Sequence, residues 1–293
     1  MQLPDPFREH RIDAGGTTIH GAVGGSGDPV LLLHGYPQSL VMWRDVAPAL
    51  ARDHTVVVTD LRGYGESDKP APDDANRRYA KREMAVDQVA VMRSLGVDRF
   101  DLVGHDRGAR VAHRLTLDHP DAVSRLAVLD IVPTRHVFTH VDRDLAHGYF
   151  HWFFLATGGG VPETLLAGAP EFWIRSMVER LLAPGVRIAD EVMADYIRYF
   201  SDPACIAATT ADYKAGASSD LEDDEASWAA GDRVTCPLLV LWGEHGFVGK
   251  AYDPLGVWRE YGTDVRGRAM PSGHFIPEEA PEQVLAELQS FLG

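Results

Sequence analysis

Asp106 lies in "GHDRGAR", with Gly104 two positions before it and Gly108 two positions after. Gly-x-nucleophile-x-Gly marks a sharp strand-to-helix turn that lifts one side chain clear of the backbone. Glycine is needed on both sides because the chain passes close to its neighbours there. A carboxylate at that point is ionised at neutral pH without help from a base. It suits attack on an sp3 carbon, which expels a leaving group and leaves an ester of the protein. Clearing the ester takes a water, a base to activate it, and N–H donors for the oxyanion. His274, in "PSGHFIPEEAP", is the base selected by the order nucleophile, acid, base along the chain. For the acid that orients it, Asp130 ends "LAVLD", at the carboxyl end of a strand, where the sites of open α/β sheets form. Glu244 in "LWGEHG" stays open as the alternative, and Gly246 occupies the place where an acid is expected. The backbone N–H groups of Tyr36, in "HGYP", and of Arg107 are the candidate oxyanion donors.

Arg107 and Arg110 fall three residues apart in the first turn of the following helix, so they share a face. Cations there oppose the helix dipole by about 0.3–1 kcal/mol each. The pair therefore calls for a counter-charge, and a substrate carboxylate matches arginine's planar fork. Arg114, one turn on, reads as structural. A departing halide needs N–H or O–H donors that do not attack carbon. His151 and Trp152 in "HWFF" and Tyr213 in "DYKAG" offer them.

The elements that must position these residues alternate. "TTIHGAVGG", "DPVLLLHGYP", "HTVVVTD", "RFDLVG", "VSRLAVLD" and "CPLLVLWGE" read as strands. Lys81 to Leu95 carries helical spacing closed by Gly96, and "ARVAHRLTLDHP" is a helix stopped by Pro120. Alternation of this kind predicts an α/β fold, a mainly parallel sheet with helices on both faces. "GGSGDP" joins two strands and opens no helix, so it is a turn and not a phosphate loop. Between Arg135 and Gly231 the strand-like runs stop and aromatic-rich helical segments take over. The expected organisation is a core of residues 1–134 and 232–293 with a helical cap at 135–231. Asp220 to Glu225 reads as a solvated acidic loop.

With 293 residues, 45% of them hydrophobic, the chain can bury one large core and still carry an insertion. A net charge of −15 argues against nucleic-acid and anionic-membrane partners. No apolar run is long enough to span a bilayer, and the N-terminal stretch has no apolar signal region. Cys205 and Cys236 lack metal-ligand spacing and read as thiols of a reducing compartment, so the expectation is a cytoplasmic protein without metal or cofactor.

"HGYPQ", "DLRGYGESDKP", "GHDRGAR", "AVLDIVPT", "HWFFLA", "DYKAG", "LWG" and "SGHFIPEEAP" together resemble the α/β-hydrolase superfamily and, within it, the haloacetate (fluoroacetate) dehalogenases. The resemblance runs over nearly the whole chain. It implies an α/β-hydrolase fold with Asp106 as nucleophile, His274 as base and Asp130 as its partner. It further implies Arg107 and Arg110 as the carboxylate clamp, and His151, Trp152 and Tyr213 as the halide pocket. A small haloacid and water would be the reactants, and a homodimer the assembly. Tyr36 stands where the family often has Phe. An epoxide hydrolase is the nearest rival, with the same Asp, His and acid and with hydroxyls drawn from Tyr149, Tyr196, Tyr199 and Tyr213. A neutral epoxide, however, leaves the two arginines unemployed. A non-catalytic binder of small acids would keep the arginines but has no need of Asp106, Asp130 and His274 together.

Overall fold

Runs of β-branched and leucine side chains buried on both faces set the middle of the sheet in the computed structural model, which describes residues 1–293. The strands are β1 (Arg8–Asp13), β2 (Thr18–Gly25), β3 (Asp28–Leu33), β4 (His54–Thr59), β5 (Phe100–His105), β6 (Val123–Leu129), β7 (Leu238–Gly243) and β8 (Val265–Met270). They lie in the order β1-β2-β4-β3-β5-β6-β7-β8. From β4 to β8 neighbours are parallel, while β2 pairs antiparallel with β1 and β4. Every residue of β5 is buried, as a central parallel strand between helical layers requires. The edge strand β1 is polar and largely exposed, and the edge strand β8 exposes Arg266 and Arg268, which blunts both as templates for another chain. β1 has no apolar alternation to announce it. It is held by its register on β2 and by a turn in which Asp13 Oδ1 accepts from the N–H groups of Gly15 and Gly16.

The helices Lys81–Ser94 and Arg107–Asp118 pack against the sheet and each other. Gly96, at φ +78°, ends the first of them as expected. Between β6 and β7 the chain forms eight helices, Thr134 to Ala230, and no strand. These lie over the carboxyl ends of the central strands, with Tyr213 against Tyr36 beyond β3 and Asp212 against Arg107 beyond β5. No helix is long and apolar enough to cross a membrane.

The acidic run corrects its sequence reading. Asp220 to Glu225 is not a loop but part of the helix Ser219–Ala230, and Asp220, Asp223 and Asp224 are buried. Asp220 Oδ1 accepts from the Lys81 N–H at 2.7 Å, Asp223 faces Arg82 and Asp224 faces Arg114. Local sequence shows only like charges that repel. The neutralising cations come from the two core helices, so the run fastens the cap to the core.

Candidate active site

β5 ends at His105, and Asp106 sits at φ +45°, ψ −116° before the helix that starts at Arg107. A non-glycine residue in that region carries about 1–3 kcal/mol of strain, tolerated only where the surroundings force it. Here they do. A Cβ on Gly104 would stand 2.6 Å from the Ala109 Cα, and one on Gly108 would run into the His34 carbonyl oxygen. Gly35 is a third obligatory glycine, since its Cβ would come within 2.6 Å of the Asp106 Cβ. The Tyr36 N–H donates to Asp106 Oδ2 at 3.0 Å. The Arg107 N–H, at the open end of the helix, has no partner and points where an N-terminal donor is free to bind an anion. Burial pushes the Asp106 carboxyl up, but His274, Arg107 and Arg110 outweigh it and hold it below the ordinary carboxylate value.

Asp130 follows β6 directly, at φ +53°. Its Oδ2 meets His274 Nδ1 at 2.6 Å, and its Oδ1 accepts from the Gly243 N–H at 3.0 Å. The bond to Asp130 directs the other ring nitrogen, Nε2, away from it, and Nε2 has no protein partner. Burial lowers the His274 pKa, yet Asp130 and Asp106 together leave it above the usual histidine value. Burial raises Asp130 by more than the His274 bond lowers it. Glu244, the alternative acid, is half exposed beside His245 at 3.3 Å and does not reach His274.

The His274 loop is pinned by residues that sequence reasoning missed. Glu279 accepts from the N–H groups of Gly273 (2.9 Å), Phe275 (2.8 Å) and, across the cap boundary, Ala183 (2.7 Å). The His274 N–H donates to the Leu181 carbonyl, and His105 Nε2 lies 2.8 Å from the His274 carbonyl oxygen. The doubled acid in "PEEAP" was the available signal for Glu279.

The two arginines divide. Arg107 is 1% exposed and spends Nε and Nη2 on Asp212, at 3.0 Å to Oδ2, 2.6 Å to Oδ1 and 2.7 Å to the backbone oxygen. Asp212 is shared with the Lys81 ammonium and the Tyr64 hydroxyl. Sequence reading singled out Tyr213 and passed over its neighbour Asp212. Arg110 is as deeply placed but meets no protein carboxylate. Its Nη1 donates to the Val132 carbonyl (3.1 Å) and Thr134 Oγ1 (3.0 Å), its Nε is buried without a partner, and its guanidinium lies 4.4 Å from the Trp152 ring centroid. Burial and the Arg107 charge both pull its pKa down. Arg114 is structural as expected, bonded to Asp118 and Ser227.

From the cap, His151, Trp152 and Tyr213 converge as a group, with ring centroids 5.8 Å apart for His151–Tyr213 and 6.3 Å for Trp152–Tyr213. Burial drives the His151 pKa down to about 3, so the ring is a neutral donor. Its Nδ1 and the Tyr149 hydroxyl are buried with no partner. Tyr196 and Tyr199 are occupied, donating to Glu278 (2.9 Å) and Glu66 (3.0 Å). Asp106 itself is only 6% exposed, and the other residues of the group are at least as buried. The open clefts of the surface lie elsewhere, such as one of about 260 Å3 between Arg175 and Met193.

The family model described as alpha/beta hydrolase fold matches residues 28–281. The chain belongs to that family. This α/β hydrolase is 44% identical to a fluoroacetate dehalogenase of Burkholderia sp, over 98% of the chain and 94% of the relative. It is also 35% identical to a soluble epoxide hydrolase of Corynebacterium sp. (strain C12), over 94% of each. Among solved structures, one from Nostoc sp PCC 7120 described as an alpha/beta hydrolase superposes with a TM-score of 0.96 at 48% identity, covering 98% of both chains. One from Pseudomonas aeruginosa described as an epoxide hydrolase superposes with a TM-score of 0.93 at 39% identity, covering 100% of this chain and 97% of that one. The two curated relatives named here differ in chemistry, one acting on fluoroacetate and one on epoxides, and the choice for this hydrolase falls to its own side chains.

Proposed function

We propose that this hydrolase cleaves short 2-haloacids, fluoroacetate or chloroacetate, to glycolate and halide through an ester on Asp106. The observation that carries the reading is Arg110, a buried guanidinium with no carboxylate of its own beside a nucleophilic carboxylate. A buried cation without a hydrogen-bonded carboxylate is expensive; Asp106 acts on Arg110 only through its charge, and a substrate that brings a carboxylate supplies the bonded partner. Arg107 Nη1, the one nitrogen left free by Asp212, is the second contact. Residues 135–231 act as the cap over a core of 1–134 and 232–293.

With the substrate carboxylate on Arg110, the halogen-bearing carbon faces Asp106. Oδ2 is held by the Tyr36 N–H, so Oδ1 is the attacking oxygen. It forms the C–O bond as the C–X bond breaks, and the halide leaves toward His151, Trp152 and Tyr213. Neutral donors serve here because the charge they stabilise appears only in the transition state. The ester has lost the Asp106 charge and gained the substrate carboxylate, so Arg110 stays balanced through the reaction. His274 Nε2 then takes a proton from water, which attacks Cγ. The developing oxyanion on Oδ2 already faces the Tyr36 N–H, and the Arg107 N–H is the second donor. Collapse returns the His274 proton to the glycolate oxygen, and the Asp106 carboxyl releases its own proton.

Incubating the protein separately with fluoroacetate and chloroacetate, and measuring halide and glycolate, tests this. Equimolar halide and glycolate are expected. No halide from either acid, with diol formed from styrene oxide, would overturn it.

A further inference from the structure

Arg110 carries a long side chain into a buried place where no carboxylate is hydrogen-bonded to it, so other groups must hold it still. Arg110 and Thr134 are each 5% exposed. Of the three guanidinium nitrogens only Nη1 is bonded, to the Val132 carbonyl at 3.1 Å and to Thr134 Oγ1 at 3.0 Å. The Trp152 ring backs the guanidinium at 4.4 Å, and Phe138 meets that ring at 5.5 Å. A free arginine side chain has many rotamers to lose when it grips a ligand. Contacts that fix it beforehand spare the ligand that cost.

The two acceptors belong to one segment, and that segment is itself tied down. Asp130 opens it, with its N–H on the Leu241 carbonyl and its carboxylate on His274 and the Gly243 N–H. The Ile131 carbonyl accepts from Trp258 Nε1 at 2.9 Å, on the helix Pro254–Tyr261. The next carbonyl, of Val132, goes to Arg110. Pro133 follows with its φ fixed by the ring, and Thr134 begins the helix Thr134–Thr139. A threonine hydroxyl near a helix start is ordinarily spent on a backbone N–H of the first turn. Thr134 Oγ1 bonds no N–H of its helix, and the one hydrogen bond it makes is the one it accepts from Arg110.

Nη1 lies on the Cδ side of the guanidinium. With Nη1 tied, the edge left over is Nε–Nη2, whose two N–H bonds run side by side and match the two oxygens of a carboxylate. Nε is buried without a partner, and Nη2 donates to nothing in the protein. We propose that Thr134 is a positioning residue for substrate selection. Its hydroxyl, with the Val132 carbonyl, locks Arg110 so that the Nε–Nη2 edge takes both oxygens of the substrate carboxylate. The inference rests on the dehalogenation of short haloacids proposed above and names the residue that presents the clamp. One segment, Asp130 to Thr134, then sets both halves of the chemistry: its first residue orients His274 and its last orients Arg110. A contact to the substrate carboxylate is made in the ground state and the transition state alike, so it shows in KM and not in kcat.

The test follows chloride release against chloroacetate concentration for the wild type, Thr134→Val, Thr134→Ser, Arg110→Met and the double variant of Thr134→Val with Arg110→Met, and takes the Tm of each. Thr134→Val keeps the shape and removes the acceptor. Its KM should rise by about fivefold or more while kcat changes by less than about twofold, and Thr134→Ser should restore the wild-type KM. In the Arg110→Met background, Thr134→Val should add nothing, because the hydroxyl acts through the guanidinium. With the wild type releasing chloride, an unchanged KM in Thr134→Val, a fall in kcat alone, or KM rises that multiply in the double variant would each overturn this inference and leave the dehalogenase reading standing. Failure of Thr134→Val to fold, or a KM rise that Thr134→Ser does not reverse, would assign the side chain to the fold and overturn it too. No chloride from the wild type would overturn the dehalogenase reading, and this inference with it.

Discussion

The sheet side and the cap side of the chamber are built to opposite rules. On the sheet side the groups that fix the reacting residues in place are engaged. Asp106 Oδ2 is held by Tyr36, Asp130 uses both oxygens, and the His274 loop is bonded on either side of the ring by Glu279. On the cap side His151 Nδ1 and the Tyr149 hydroxyl are buried without partners. The arginines repeat the contrast in one turn of helix, with Arg107 paired to Asp212 through Nε and Nη2 and Arg110 left with carbonyl and hydroxyl acceptors. Each buried unsatisfied group costs about 1–3 kcal/mol, so the cap side is the less stable design. The difference has a chemical reason. Bond formation depends on a fixed angle and distance, which full hydrogen bonding supplies. Bond breaking creates charge where there was none, and donors that are already occupied cannot receive it.

The hardest blow to the sheet side is at its two reacting residues. Asp106→Asn should lower halide release by at least about 10^4-fold, since nothing else in the chamber can form the ester. His274→Asn should be as damaging to steady turnover but through a different step. Alkylation should still occur once, and mass spectrometry of the peptide carrying Asp106 should show the trapped ester after exposure to chloroacetate. Steady turnover in His274→Asn, or no adduct with turnover lost, would break the division of labour between the two.

The sheet side was also the legible one. Asp106 and its glycines are specified within five residues because one tight turn imposes all of the constraints, and His274 and Asp130 follow from chain order and strand ends. Gly35 escaped notice because the atom it must clear belongs to Asp106, on another strand end. Asp212 and the acidic helix escaped for the same physical reason. Their meaning lies in Arg107, Lys81, Arg82 and Arg114, which fold against them from distant segments. Seen locally, a run of aspartates is a source of repulsion; seen with its cations, it is the fastening of the cap. The cap donors were suggested by residue type and by family resemblance, because an unpartnered hydroxyl is a property of packing and leaves no mark on spacing.

The arginine contrast can be sharpened by reading stability and binding together. Arg110→Met should raise KM for chloroacetate by about 10- to 150-fold, the worth of one charged hydrogen-bonded contact of ~1.5–3 kcal/mol. It should not lower Tm, because it removes a buried cation that no carboxylate hydrogen-bonds. Asp212→Asn should do the reverse first. It strands Arg107 and Lys81 in a dry site, and breaking a buried pair by removing one partner costs about 3–5 kcal/mol. Thermal unfolding of the two variants beside their kinetics checks the pattern. A large Tm loss in Arg110→Met would mean that its carbonyl and hydroxyl contacts serve the fold, and the unpaired-cation reading would go with it.

The mildest perturbation is pH, and it separates the two halves without a mutation. Asp106 is held below the ordinary carboxylate value and His151 at about 3, so both keep one charge state through the neutral range. Asp130 and Asp106, against the opposing pull of burial, raise the His274 pKa above the usual histidine value. In the proposed reaction alkylation does not need its free base, whereas ester hydrolysis does. kcat should therefore fall on the acid side by up to about tenfold per pH unit, while kcat/KM, which reports the steps through alkylation, stays flat. The ester has no Asp106 charge, so the limb in kcat should lie below the His274 pKa of the free enzyme, measurable by NMR. Unfolding cannot mimic this limb through His274. Its raised pKa contributes stability that is fully present below the unfolded value and lost as pH rises through the folded one. Asp106, with its pKa lowered, gives up its contribution only as pH falls through a folded value beneath the ordinary carboxylate range. If kcat and kcat/KM fell together, His274 would already be needed as a base when the carbon–halogen bond breaks, and the sheet side would no longer act in two separable steps.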